Sequence, residues 1–192
     1  MISSRFTPIS LACGLGLVLA ACTESDGPTA VPSAQAAASA PVFGNFPVLP
    51  SAANHSQFRA QLDGAQEVAD PPVVTRARGQ ATFHLSKDGS ALHFRLIVAN
   101  LENLRMAHIH LAPAGVNGPV TAWLYPEAPP MQVIPGRFSG VLAEGTLTAA
   151  NLVGPLAGQP LSALIDEIRA GNAYVNVHTD AYPAGEIRGQ IW

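Results

Sequence analysis

Apolar and polar residues alternate along Met106-Ala107-His108-Ile109-His110-Leu111, which predicts a β-strand with one buried face. Side chains two apart on a strand share a face, with about 6.6–7 Å between their backbone positions. Ala107, Ile109 and Leu111 therefore face the core, and His108 and His110 point together to the other side. Tyr174-Val175-Asn176-Val177-His178-Thr179 repeats the pattern with a single histidine.

The same alternation marks further strands. Residues 57–62 place Phe58, Ala60 and Leu62 inward, and Asp63-Gly64 follows as a turn. Residues 78–86 and 91–100 form a hairpin around Asp88-Gly89, a favoured two-residue turn. Its register pairs Leu85 with Leu92 and Phe83 with Phe94 in the core. His84 and His93 then face each other on the opposite side, as a metal pair or, more commonly, as solvated surface. Residues 120–125, 137–142 and 145–148 read as short strands, and residues 173–179 and 186–192 as a hairpin. Leu161, Leu164, Ile165 and Ile168 have the spacing of one helix face, opened by Pro160 and closed by Gly171. Seven to nine short strands and one short helix near residues 160–170 make an all-β fold. The expected architecture is an immunoglobulin-like or Greek-key β-sandwich, with a Greek-key barrel as the closed alternative.

Composition agrees with that class. Seventeen glycines and seventeen prolines in 192 residues leave much turn chemistry and little room for long helices. Ten basic residues against thirteen acidic ones give a net charge of −3, with no basic stripe, so nucleic acid is not an expected partner.

The N-terminal region reads as an address. Arg5 precedes an apolar run over residues 9–21 that is too short to span a bilayer comfortably. Leu19-Ala20-Ala21-Cys22 resembles the bacterial lipobox, in which the cysteine is acylated and becomes the new N-terminus. Residues 1–21 are thus an expected lipoprotein signal peptide, and Cys22 the expected lipidation site. Thr23, where an aspartate would retain the protein at the inner membrane, directs the expectation to the outer membrane. Residues 22–54 are rich in Ala, Ser and Pro and read as a flexible tether, leaving residues 55–192 as the folded domain. Cys13 lies within the leader, so the mature domain has no thiol, no disulfide-linked partner and no thiolate ligand.

A chain of motifs in the domain resembles the CHRD domain, named after chordin and also found in bacterial secreted proteins. It runs from Phe58-Arg59-Ala60-Gln61-Leu62-Asp63-Gly64 and Gln66-Glu67-Val68 through Pro71-Pro72-Val73 and Gly79-Gln80-Ala81-Thr82-Phe83 to Ala107-His108-Ile109-His110. Asn117-Gly118-Pro119-Val120, Gly171 to Thr179 and Gly185 to Ile191 complete it. Ala69-Asp70 is an insertion before the two prolines. The resemblance implies a β-sandwich and supplies no established activity for bacterial members. The His-x-His strand is also similar to that of copper–zinc superoxide dismutase, which requires more histidines and a disulfide; that likeness is architectural.

Three functions fit these residues. The first is a metal-binding module in which His108, His110 and His178 supply neutral imidazoles, and Glu186 serves as a ligand or orients one ring. Copper or zinc suits such a set in an oxidising compartment without thiols. The second is a protein-binding or adhesion module presenting Trp123, Tyr125 or Tyr182. The third is an enzyme, with Glu67 and Glu186 or His178 and Asp180 as acid–base pairs, most simply a copper-dependent redox catalyst. No nucleophile elbow, phosphate loop or HExxH motif is present, and no catalytic residue is assigned. Arg188 is expected to pair with Glu186 or another carboxylate across the sheet.

Overall fold

The computed structural model describes residues 55–192. The leader, Cys22 and the tether lie outside the described residues.

The domain is built from seven strands: β1 (Gln57–Asp63), β2 (Arg78–Leu85), β3 (Leu92–Leu111), β4 (Val120–Tyr125), β5 (Ile134–Leu147), β6 (Ala173–Thr179) and β7 (Ile187–Gln190). One helix, α1 (Leu161–Arg169), precedes β6. The hairpin register is the expected one: Leu85 faces Leu92, His84 faces His93, and Phe83 faces Phe94. Phe58, Ala60 and Leu62 are buried on β1, and the helix buries Leu161, Leu164, Ile165 and Ile168. Gly171, at φ 76°, closes that helix by donating its N–H to the Ile168 carbonyl at 3.0 Å.

The strands pair in the order β2-β1-β7-β6-β3-β4, and a further β2–β3 pairing closes β1, β2, β3, β6 and β7 into a five-stranded ring. β4 and β5 are added on β3. The all-β class with one short helix holds, and the sheet forms one closed barrel with extra strands, the closed alternative to the immunoglobulin-like sandwich.

Closure depends on β3. The sequence reading broke it at Asn100, yet it runs through twenty residues. Asn100 and Asn103 adopt φ values of 61° and 49°. Asparagine is among the few non-glycine residues that tolerate this region, because its short side chain bonds locally. Asn103 Oδ1 accepts the Gly136 N–H at 2.8 Å, and Ser139 Oγ accepts the Asn100 N–H at 2.9 Å. Register shifts fall at the same place in the β3–β5 ladder. The first part of β3 pairs with β2 and the last part with β6, so one strand serves both sides of the ring. The same bend explains why β5 is one strand: residues 137–142 and 145–148 continue along a single long partner.

The ring's last seam lies between β1 and β7. Asp63 pairs with Arg188, and Arg59 exchanges backbone hydrogen bonds of 2.9 and 3.0 Å with Trp192. A Cβ at Gly189 would run into the Gln61 carbonyl and crowd Leu62. Gly189→Ala is therefore expected to destabilise the domain by about 1–3 kcal/mol, the usual cost of forcing atoms into a packed interior. Urea unfolding should show a lower midpoint, and an unchanged midpoint would refute this view of the seam.

Candidate metal centre

His108 and His110 stand on the last part of β3, and His178 stands on β6. The β3–β6 register sets Met106 opposite His178, His108 opposite Asn176, and His110 opposite Tyr174. Ala107, Ile109, Val175 and Val177 lie between them with no exposed surface, so the core takes the intervening side chains. The three histidines therefore share the outward face of the two strands. That face is covered as well, and the rings are only 3–8 % exposed.

The ring centroids lie 5.6, 5.1 and 5.9 Å apart, and one ligand nitrogen from each ring falls within 4.8 Å of the others. His108 Nδ1 is 3.3 Å from His178 Nε2. A tetrahedral ion bound at about 2.0–2.1 Å holds neighbouring donors about 3.3 Å apart. That pair has this spacing, which an N–H···N hydrogen bond between the rings also gives, and the widest separation, up to 4.8 Å, must close by about 1.5 Å to hold an ion.

Backbone carbonyls fix two of the rings. His110 Nδ1 is 2.9 Å from the Gly118 carbonyl, and His178 Nδ1 is 3.1 Å from the Pro183 carbonyl. A carbonyl only accepts, so each Nδ1 carries the proton and each Nε2 keeps its lone pair. In His178 that lone pair belongs to the nitrogen facing His108. The Nε2 atoms of His108 and His110 are buried without a hydrogen-bond partner. In His110 this nitrogen is the acceptor, and a buried acceptor without a partner is costly unless something occupies it. The fit to a transition metal rests on this observation.

The electrostatics favour the same chemistry. Burial pushes His108 down to about 3, helped by the charges His178 and His110 would carry. Burial, with His110, brings His178 down to about 4. His110 is lowered as well, first by burial and then by Arg188, against the Gly118 carbonyl, which raises it. All three rings are therefore neutral at pH 7, and no proton competes with a cation for their lone pairs.

Aromatic groups enclose the cluster. The Trp123 ring meets His108 edge-on, with centroids 4.2 Å apart at 86°. His110 stacks on Tyr174 at 5.0 Å and 16°, and Tyr174 OH accepts the Gly118 N–H at 3.0 Å. The loop that orients His110 is thus tied to the ring beneath it. A Cβ at Gly118 would collide with the Leu111 carbonyl, so only glycine lets that loop approach.

The structure brings together three of the four expected ligands. Glu186 is buried elsewhere in hydrogen bonds: its carboxylate accepts from Thr75 Oγ1 at 2.6 Å and Thr179 Oγ1 at 2.7 Å. It anchors the strand that carries His178 and orients no ring. Asp180 pairs with Arg105 at 3.3 Å, leaving His178 to Pro183. Glu67 lies beside Asn176 and Arg188; burial raises its carboxyl to about 7, although both neighbours pull it down. Arg188 forms no ion pair among the described residues. Its guanidinium lies 3.4 Å over the Tyr174 ring and donates to the Pro113 carbonyl and Asn117 Oδ1. A stacked cation keeps part of its stabilisation without a carboxylate, which is why the expected pair does not form.

His84 and His93 are exposed, with His93 Nδ1 at 2.9 Å from Thr146 Oγ1, so the surface reading holds for them. Trp123, Tyr125 and Tyr182 are half-buried; Trp123 walls His108, and Tyr182 OH donates to the Val74 carbonyl. Trp123 and Tyr182 are thereby committed to intramolecular contacts. Sequence reasoning missed the Gly118 and Pro183 carbonyls and the role of Tyr174. Only Asn117-Gly118-Pro119 gave a signal, as a tight loop following the histidine strand.

A family model described as the CHRD domain matches residues 58–191. No curated protein and no solved structure matches the chain.

The depressed histidines make the metal-free domain sensitive to acid. Below about pH 6.5 the unfolded chain binds protons that folded His108, His110 and His178 refuse until the pH approaches their own lower values. Stability is therefore lost as pH falls through this window. Glu67 works in the opposite sense, since its raised value favours the fold below pH 7, but it is one group against three. The metal-free melting temperature should fall from pH 6.5 to 4.5, and His178→Gln should flatten the slope. A melting temperature that holds steady or rises on acidification would contradict the burial of neutral rings.

Proposed function

The chain belongs to the CHRD domain family, and from that premise we propose that its domain is a transition-metal-binding module holding copper or zinc through His108, His110 and His178. The supporting observation is the convergence of three buried, neutral imidazoles from two strands, with unpaired ring nitrogens among them. Paired strands hold the three rings beside one another, and backbone carbonyls select the tautomers of His110 and His178. When bound, zinc supplies Lewis acidity, and copper adds one-electron chemistry. The chain's own part is to keep the rings neutral, dry and oriented.

Nitrogen ligands without thiolates are borderline donors, and they suit copper(II) and zinc(II) better than calcium or magnesium. A ligand that binds only the folded state stabilises it by about 2.7 kcal/mol at a hundredfold excess over its dissociation constant. Copper(II) or zinc(II) should therefore raise the melting temperature of the metal-free protein, and the purified protein should retain near-stoichiometric metal. His108→Ala combined with His110→Ala should abolish both effects. A wild-type melting temperature indifferent to either ion would end this reading.

The proposal places the module in the cell envelope, tethered to the outer membrane through acylated Cys22. The lipobox sequence around that residue supports it. Buried methylenes are worth about 0.8 kcal/mol each, so several acyl chains hold a protein without any transmembrane helix. Cys22→Ser should move the protein from the detergent-soluble membrane fraction to the soluble one. A variant that stays with the membrane would overturn the anchor.

A further inference from the structure

Three imidazoles leave a four-coordinate ion one position short, and the groups around the cluster narrow the choice of donor. Trp123 offers only a ring edge to His108, and Tyr174 lies under His110 with its hydroxyl engaged by Gly118. Asn176 sits opposite His108, but both ends of its amide lie over Gly185 beside Glu67, with the nitrogen 3.4 Å from the Ala184 carbonyl. Glu186 spends both carboxylate oxygens on threonine hydroxyls. Met106 is a further side chain that the register places beside the cluster.

Met106 precedes His108 by two positions, and Ala107 and Ile109 point into the core, so the methionine shares the histidine face. It is also the residue directly opposite His178 on β6. Directly opposed side chains have Cβ atoms about 4.5–5.5 Å apart, and a methionine side chain spans that gap. Met106 thus adjoins two of the three ligands, one along its own strand and one across the ladder. A register shift falls just before it, between Leu104 and Met106, and such bulges re-aim the side chains beside them. The other methionine of the described residues is committed: Met131 Sδ accepts from Arg105 Nε and a terminal guanidinium nitrogen at 3.2 and 3.0 Å.

We infer that the Met106 thioether is the fourth donor of the three-histidine centre and makes it a site for copper(I). The inference rests on the metal-binding reading above and goes beyond it by naming both the ligand and the ion. A thioether is a soft, uncharged donor, which binds copper(I) and adds little for zinc(II). With both cysteines at or before position 22, the thioether is the softest ligand the domain can offer. Three neutral rings and a neutral sulfur also leave a single positive charge in a buried site. A divalent ion would leave two, at a higher desolvation cost.

The test uses the full chain as wild type and as Met106→Leu, a swap that keeps volume and removes the sulfur. Each is titrated with copper(I) against a chromophoric chelator and, separately, with zinc(II), and the copper(I) forms are examined by X-ray absorption. The wild type should show a sulfur neighbour beside nitrogen ones. Met106→Leu should lose that neighbour and weaken copper(I) binding by about tenfold or more, while zinc(II) affinity stays within about twofold and reports an intact fold. Copper(I) bound through nitrogen alone in the wild type would overturn the role of Met106 and leave the histidine centre standing. Zinc(II) held without copper(I) would overturn the assignment of the ion. Failure to bind either metal would overturn the centre itself, and this inference with it.

Discussion

The antiparallel pairing of β6 against the last part of β3 is the constraint on which the site depends. Side chains alternate with a period of two, so a slip of one residue would turn His178 into the core and bring Val177 out beside His108. What prevents the slip is burial. Ala107, Ile109, Val175 and Val177 have no exposed surface, and moving all four outward forfeits about 1.5–3 kcal/mol for each larger side chain. The histidine cluster is thus positioned by its apolar neighbours. It needs no attraction among its own members, which is fortunate, because three rings that repel when charged supply none.

This separation explains what was legible in the sequence. Alternation is a local signal, and it located β1, the β2–β3 hairpin with its register, β4, β6 and the helix stripe. It also put His108, His110 and His178 on one kind of face. It failed where a strand changes its partner. Asn100 and Asn103 look like the end of a strand because asparagine interrupts most of them. Here their left-handed backbone bends β3 without ending it, and Gly136 and Ser139 on β5 satisfy the groups the bend exposes. Whether an asparagine ends a strand or bends it depends on a partner some forty residues away, which no window along the chain contains. The closed ring follows from that bend, so the choice between sandwich and barrel was not legible for the same reason.

The charged residues were the least legible, again for a physical reason. Charges in sequence suggest pairs, and Glu186 and Arg188, two apart near β7, suggested one. In the fold each meets a different need. Glu186 takes two hydroxyl donors, which suffice for a buried carboxylate and tie residue 75 to the strand carrying His178. Arg188 is 1 % exposed and lies on Tyr174, whose ring also carries His110. A cation one ring away from His110 discourages protonation of that histidine without touching its lone pair. The arginine that looked like half of a salt bridge thereby helps to keep a ligand neutral. Its influence runs through space and stacking, which leave no spacing pattern in the chain.

The same reasoning accounts for the unpaired acceptors. Folded proteins rarely bury polar atoms without partners, and the exceptions gather where a ligand or strain has a role. Here the Nε2 atoms of His108 and His110 belong to the cluster, and Asn176 Oδ1 and Glu67 Oε1 lie close together over Gly185. His110 Nε2 is an acceptor in want of a cation, and the two oxygens lack a donor. A stack of histidines kept only to fill space would leave such atoms unmatched at a cost of about 1–3 kcal/mol apiece, when apolar residues of similar size would avoid it. For the histidines the fold bears that cost on the outward face where β3 and β6 pair. At His110 the burden falls where a bound cation would lift it, and this imbalance, more than the proximity of the rings, separates a ligand set from a packed cluster of histidines.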